Sequence, residues 1–341
     1  MAIDRIEKWR EIHRAASELF SLAPWEYLEE NEIFGIRTSI TGRTYFISVM
    51  GSLGQVLAVS AYEGSSALMG FWELHEGQAD PGKVLAIPHM MLSFDDKKYV
   101  DKTQKEIIKE SGLFSAGHKK WPVVTRVIPG LFPKIPEGDY LDDMAEILPQ
   151  IIDVCKRAED DIDLILPDVN DDETYLIREK TKLKRKAVWR DSYEKVVAEP
   201  EIYKITIPHE DIESLRFLRR NQSVYQADYR MMPATVKEKG QPEYFPFTVL
   251  LTEKKSGYIA GFETIPPLPD YRTMVENIPQ IIVSLIKKLK YRPMVIEVKD
   301  HALYEMLKPA MGRCAINIVL SPSLASVDEA FESLSQSMKR K

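Results

Sequence analysis

Hydrophobic positions recur along this chain with two different periods, and the changes of period mark its elements. Ile6, Trp9, Ile12, Ala16 and Leu19 stand three and four apart, which predicts an amphipathic helix over residues 4–20 with Asp4 as its N-cap. Phe34 to Ile40, Tyr45 to Met50 and Val56 to Tyr62 are instead rich in β-branched and aromatic residues, separated by Thr41-Gly42 and by Gly51-Ser52-Leu53-Gly54. Those separators are turn chemistry, so an antiparallel meander is expected. Gly64-Ser65-Ser66 offers hydroxyls to cap a helix through Leu74. A strand over His89 to Phe94, a helix over Thr103 to Ser111 and a strand over Trp121 to Ile128 follow. After the turn at Pro129 to Pro136, helical spacing returns from Leu141 to Ala158, with a kink expected at Pro149 because proline removes an internal hydrogen bond.

The second half repeats that order. Strands are predicted over Val224 to Met232, Thr248 to Thr252 and Tyr258 to Thr264, with Lys254-Lys255-Ser256-Gly257 as the tight turn between the last two. A helix over Met274 to Leu289, a strand over Met294 to Val298, a helix over Ala302 to Leu307 cut at Pro309, a strand over Ala315 to Leu320 and a helix over Val327 to Met338 complete it. Both halves read as three antiparallel strands followed by helix-strand-helix-strand-helix. The fold class is therefore α/β (α+β) in two domains, 1–158 and 222–341, joined over 159–221 by a charged connector with short strands and a helix. A duplication rests on that order only. Pro149-Gln150-Ile151-Ile152 recurs as Pro279-Gln280-Ile281-Ile282, yet one copy falls in the last helix of its half and the other in the first.

In the connector an Asp-rich run, Glu159 to Glu173, gives way to Arg178, Lys180, Lys182, Lys184, Arg185, Lys186 and Arg190. The alternating lysines fit one solvated face of an exposed strand, where charge discourages edge pairing. His209 to Arg220 reads as a short helix whose Arg216, Arg219 and Arg220 complement its C-terminal dipole.

Composition narrows the class without naming a reaction. A chain of 341 residues exceeds what one core usually serves, and 44% hydrophobic with 29% charged residues is ordinary for a folded globular protein. The formal charge of −6 gives no overall electrostatic footprint for nucleic acid, leaving room only for a local patch. Cys155 and Cys314 stand far apart without CxxC or CxxH spacing, so they are expected as buried thiols in a reducing cytoplasm rather than as a zinc knuckle or disulfide. The N-terminus lacks the pattern of a signal peptide, and no apolar run is long enough to span a membrane.

Chemistry-bearing spacing is sparse. His13, His75, His89, His118, His209 and His301 are scattered with no HxxxH or HxH pair. Gly51-Ser52-Leu53-Gly54 lacks the Lys-Ser/Thr of a phosphate loop and joins two strands, and no Gly-x-Ser-x-Gly elbow occurs. Three carboxylates remain: Asp228 in the first strand of the second half, Asp300 after its fourth strand and Glu329 opening its final helix.

The element order around those carboxylates resembles ribonuclease H-like domains, transposase and integrase cores among them. That resemblance implies Asp228, Asp300 and Glu329 converging on Mg²⁺ or Mn²⁺, as hard cations held by oxygen would require. The match is one of topology, since Asp300 and Glu329 lie only 29 residues apart and His301 stands where those cores carry Asn and Gly. A bland reading accounts for the same residues: Asp300 as an N-cap, Asp328 or Glu329 favouring a helix dipole, Asp228 facing solvent.

A second resemblance covers most of the chain. Ala23-Pro24-Trp25, Phe34-Gly35, Val49-Met50-Gly51, Tyr62-Glu63-Gly64, Leu92-Ser93-Phe94, Trp121-Pro122 and Pro129-Gly130 resemble an uncharacterised bacterial domain family. Tyr244-Phe245-Pro246, Ser256-Gly257, Arg292-Pro293 and Ala330 to Leu334 are similar to a second domain of unknown function that commonly follows it. Some relatives append a SEC-C zinc motif, whose cysteines are absent here. The resemblance carries no established activity. The expected function is a non-catalytic interaction or binding protein without cofactor, with a protein partner favoured over nucleic acid and no membrane. Exposed aromatic-proline segments at Tyr244 to Phe247 and Leu131 to Pro136 would be its surfaces. The alternative is a divalent-metal-dependent, nuclease-like phosphodiester enzyme using Asp228, Asp300 and Glu329, its basic connector gripping the nucleic-acid backbone.

Overall fold

Alternation along a strand does not say which strands pair, and the two halves of this chain pair theirs differently. The computed structural model describes residues 2–54, 56–77, 81–112, 119–166, 173–183, 186–197 and 202–339; His118, Lys184, Arg185 and residues 167–172 of the Asp-rich run fall outside them. The chain divides into one unit of Met1–Ile128 with Pro133–Pro200 and a second of Pro129–Phe132 with Glu201–Lys341. Each is a mixed α/β structure.

The first unit contains α1 (Ala2–Leu22), β1 (Phe34–Arg37), β2 (Thr44–Met50), β3 (Ala58–Glu63), α2 (Gly64–His75), β4 (His89–Asp96), α3 (Lys102–Ser111), β5 (Lys120–Val127), α4 (Asp139–Asp160), β6 (Thr174–Leu183) and β7 (Lys186–Lys195). Its sheet runs β5-β4-β3-β2-β1-β6-β7. Only β1 and β6 are parallel; the other neighbours are antiparallel. Apolar stripes of α1 (Trp9, Ile12, Leu19) and α4 (Ile147, Leu148, Ile151) close over one face of the sheet. Leu68 and Phe71 of α2 close over the other with Phe46, Tyr62 and Ile177. Each such fully buried side chain contributes about 1.5–3 kcal/mol.

Several local expectations change. The first helix already begins at Ala2, so Asp4 lies inside it rather than capping it. Glu63, not a serine, is the N-cap of α2, and no side chain caps that end. Pro149, where the kink is expected, lies inside α4, with buried residues on either side. Part of the segment read as a connector is sheet: β6 and β7 form a hairpin paired along ten residues each, and β6 pairs with β1.

The second unit contains α5 (His209–Phe217), β8 (Arg219–Arg220), β9 (Val224–Met231), β10 (Phe247–Glu253), β11 (Ile259–Ile265), α6 (Tyr271–Lys288), β12 (Tyr291–Arg292), β13 (Val295–Val298), α7 (His301–Arg313), β14 (Asn317–Leu320) and α8 (Ala325–Lys339). Its main sheet runs β11-β10-β9-β13-β14, with β9, β10 and β11 antiparallel and β13 and β14 parallel to β9. α6 and α7 share one core with Tyr225, Ala227, Val249 and Ile296. α8 covers the opposite face through Val327 and Phe331 against Leu250. The helix predicted to end before Pro309 runs on to Arg313. The one predicted to reach Arg220 stops at Phe217, so only Arg216 occupies its last turn.

The halves share an order of elements and not a sheet. In the second unit the fourth and fifth strands add beside the first strand, in parallel; in the first unit they add beside the third strand, antiparallel, and β6 takes the open side of β1. A helix between two strands permits a crossover but does not impose one. The topological similarity expected of the two halves is therefore corrected, and the duplication argued from it loses its support.

Candidate functional site

Period two places Gln226, Asp228 and Arg230 on the face of β9 that meets the first turn of α8. Gln226 Oε1 accepts from Ser326 N at 3.0 Å and Ser326 Oγ at 2.7 Å, while its amide donates to Glu297 at 2.9 Å. Two residues on, Asp228 Oδ1 accepts from the Tyr229 amide and Oδ2 from Arg230 Nε, both at 2.9 Å. Arg230 spans to α8, where a terminal nitrogen donates to Asp328 and its guanidinium lies 4.9 Å from the Phe331 ring centroid. Burial holds the Asp228 carboxyl above the ordinary carboxylate value, with Arg230 and the Tyr229 amide opposing and Asp300 adding to the rise. Burial alone would depress Arg230, but Asp228 and Asp328 hold it above its ordinary value. The two shifts pull opposite ways on one ion pair. Asp228 is the more deeply buried partner, and a single bridge does not repay its desolvation, so its carboxyl stays above the ordinary value.

Of the three predicted carboxylates, Asp228 and Asp300 come within electrostatic reach of each other. Asp300 caps α7, accepting from the Leu303 amide at 2.8 Å. Glu329 is exposed on α8, one residue past the carboxylate that Arg230 engages. Among the described residues no three His, Cys, Asp or Glu side chains are grouped to hold a metal ion. The predicted set does not fit a divalent pair as it stands: Arg230 already engages Asp228, Asp300 caps α7 and Glu329 is exposed. Arg230 is a residue that sequence reasoning passed over. Its signal was the Asp228-x-Arg230 spacing, which in a strand puts both on one face.

The first unit holds a polar cluster that was also missed. Asp143 is fully buried in the otherwise apolar stripe of α4 and accepts from Thr41 Oγ1 at 2.9 Å, Arg43 at 2.9 Å and Tyr45 Oη at 2.8 Å. Arg43 also reaches Glu63 at 3.3 Å, and Tyr140 Oη donates to Glu63 at 3.1 Å. The Arg43 and Arg126 guanidiniums lie 4.1 and 3.1 Å from the Tyr140 ring centroid. Burial, then Asp143, raise the Tyr45 hydroxyl, and burial depresses Arg126. A charged residue amid Leu141, Met144 and Ile147 was the available signal. The bonds that converge on Asp143 from Thr41, Arg43 and Tyr45 make this a structural clamp between β2 with its preceding turn and α4.

Two members of the basic run, Arg178 and Lys180, lie beside carboxylates. Arg178 faces α4 and β7, bonding Gln150 at 2.9 Å, Asp153 at 2.9 Å and Asp191 at 2.7 Å, and Lys180 lies 3.9 Å from Glu146. Burial would raise Asp191, but Arg157 and Arg178 hold it below the ordinary range. Lys180, Lys182 and Lys186 are exposed, as the solvated-face reading expects.

With this geometry in view, the chain can be set beside known proteins. Residues 9–178 match the family described as Domain of unknown function (DUF7309). Residues 211–335 match Domain of unknown function (DUF6930). Two domains of unknown function stand here in tandem. The DUF7309 match ends inside β6, and the DUF6930 match takes in the whole Asp228, Arg230, Asp328 bridge. No curated protein gives a match. Among solved structures, the catalytic core domain of BIV integrase is 14% identical, covering 34% of this chain and 68% of its own, with a TM-score of 0.24. The Mos1 transposase paired-end complex with left transposon end is 11% identical, covering 80% and 83%, also at 0.24. Likeness that weak carries no argument about this chain. No helix among the described residues is long and apolar enough to cross a membrane.

Proposed function

We propose that this is a non-catalytic binding protein whose second unit is a degenerate ribonuclease H-like domain. The carrying observation is Arg230, whose guanidinium bridges Asp228 and Asp328 where such a domain would need cations between carboxylates. A sheet with β9 central, two antiparallel strands on one side and two parallel strands on the other supports the fold reading. A protein partner is favoured, and one surface suits it. Tyr244 and Phe247 are packed away, but Phe132 stays 49% exposed and stacks on Phe245 with centroids 6.2 Å apart. Buried thiols at Cys155 and Cys314 agree with a reducing cytoplasm.

Titrating the protein with Mn²⁺ while following the free-ion EPR signal tests the reading. The wild type should leave that signal undiminished. Mn²⁺ uptake abolished by Asp228→Asn would overturn it in favour of a metal-dependent phosphodiester enzyme using Asp228, Asp300 and Glu329. That alternative has one observation behind it, the electrostatic coupling of Asp228 with Asp300.

A further inference from the structure

The edge of a sheet offers a row of unpaired N–H and C=O groups to any further strand, and proteins normally guard it with proline, a bulge, shortness or charge. Among the described residues the two main sheets end on β5 and β7 in the first unit and on β11 and β14 in the second. Three of these edges carry a structural guard. β5 holds Pro122, β14 is four residues long, and the pairing of β11 with β10 shifts register beside Thr252. β7 has none of these. It runs ten residues from Lys186 to Lys195 without proline, and its pairing with β6 is unbroken. Most of its side chains are exposed, Tyr193 to 49%.

Charge is the remaining guard, and on β7 it has both signs: Lys186, Arg190 and Lys195 against Asp191 and Glu194. A strand of that kind attracts or repels its own copy according to register. Side chains directly opposite across an antiparallel pair share a face, so a two-fold axis normal to the sheet must centre on a residue. Of the symmetric registers that overlap at least seven residues of β7, centring on Arg190 or on Asp191 sets that charge against itself, and centring on Trp189 opposes no two charges. Centring on Ser192 sets Arg190 opposite Glu194, twice. Arg190 is exposed, and among the described residues it bonds no carboxylate: Glu179, facing it across the β6–β7 ladder, bonds Arg37 at 2.6 Å. Glu194 takes the same Arg37 guanidinium at 2.7 Å, so two carboxylates draw on one bonded cation. We infer that β7 pairs antiparallel with β7 of a second copy about Ser192, with Arg190 of each copy facing Glu194 of the other. The two first-unit sheets would then run on as one. This surface belongs to the first unit and is independent of the binding role proposed above.

The test is sedimentation equilibrium of the full chain from about 1 µM to about 1 mM. The mass should rise from 39.2 kDa towards twice that value. Arg190→Gln should weaken the dimer about fivefold, through two lost cross-strand pairs. Ser192→Cys should give a disulfide-linked dimer under mild oxidation, because a residue on the axis stands about 4.5–5.5 Å from its own copy. Both native cysteines are buried, so the new thiol is the accessible one. Lys182→Cys, exposed on β6, should not cross-link. A chain that stays at 39.2 kDa at every concentration overturns the inference and leaves the edge to a strand of another protein. A dimer that Arg190→Gln leaves unweakened, or that Ser192→Cys does not cross-link, overturns β7 as its seat.

Discussion

Replacing Arg230 by glutamine would leave Asp228 buried with one amide for company, and the cost can be worked from the geometry. Breaking a fully buried ion pair by removing one partner costs about 3–5 kcal/mol. The Arg230 side chain is 29% exposed and that of Asp228 12%, so water screens part of the interaction and about 2–3 kcal/mol is expected. The molecule offers a clean assay. All five tryptophans, Trp9, Trp25, Trp72, Trp121 and Trp189, lie in the first unit, so their fluorescence follows that unit while far-UV circular dichroism follows both. Under urea, Arg230→Gln should shift the dichroism transition of the second unit to lower denaturant and leave the fluorescence transition in place. Adding Asp228→Asn should recover more than about 1 kcal/mol, because the orphaned charge has gone. The pH dependence has a definite sign. A native carboxyl raised above its unfolded value binds protons more readily in the folded state, so the deficit of Arg230→Gln should shrink as pH falls from neutrality into the carboxylate range. An unshifted dichroism transition, or a double variant no better than the single one, refutes the argument that Arg230 compensates a buried charge.

Asp143→Ala should strip Arg43 and Tyr45 of their shared acceptor and lower the first unit's stability by about 3–5 kcal/mol, read from the tryptophan transition. His13 is buried and its imidazole is depressed by burial to about 4, so the unfolded state takes up the proton first. Stability from His13 should be complete above about pH 6.5 and fall by about 3 kcal/mol as pH drops to about 4, a limb that His13→Gln should flatten in thermal melts. Gly130 has φ of +76°, and a Cβ there would stand 2.6 Å from Pro267 Cβ. Gly130→Ala should therefore destabilise the second unit by about 2–4 kcal/mol, with the dichroism transition moving and the tryptophan transition unmoved.

What the amino-acid sequence determined by itself is the local level. Periods of two and of three to four located the helices and most strands to within a few residues, because side-chain alternation is dictated by the backbone each element adopts. Proline misled at Pro309, which α7 runs through because burial on both sides outweighs one lost hydrogen bond. Only tertiary structure decided which strands meet. The same succession of elements gave an antiparallel extension at β3 in one unit and a parallel extension at β9 in the other. The candidate site divides in the same way. Asp228 was legible as a carboxylate in a strand and Asp300 as one capping a helix, but the bridge from Arg230 to Asp328 joins residues 98 positions apart. Charges that distant in sequence act on each other only after folding has excluded the water between them.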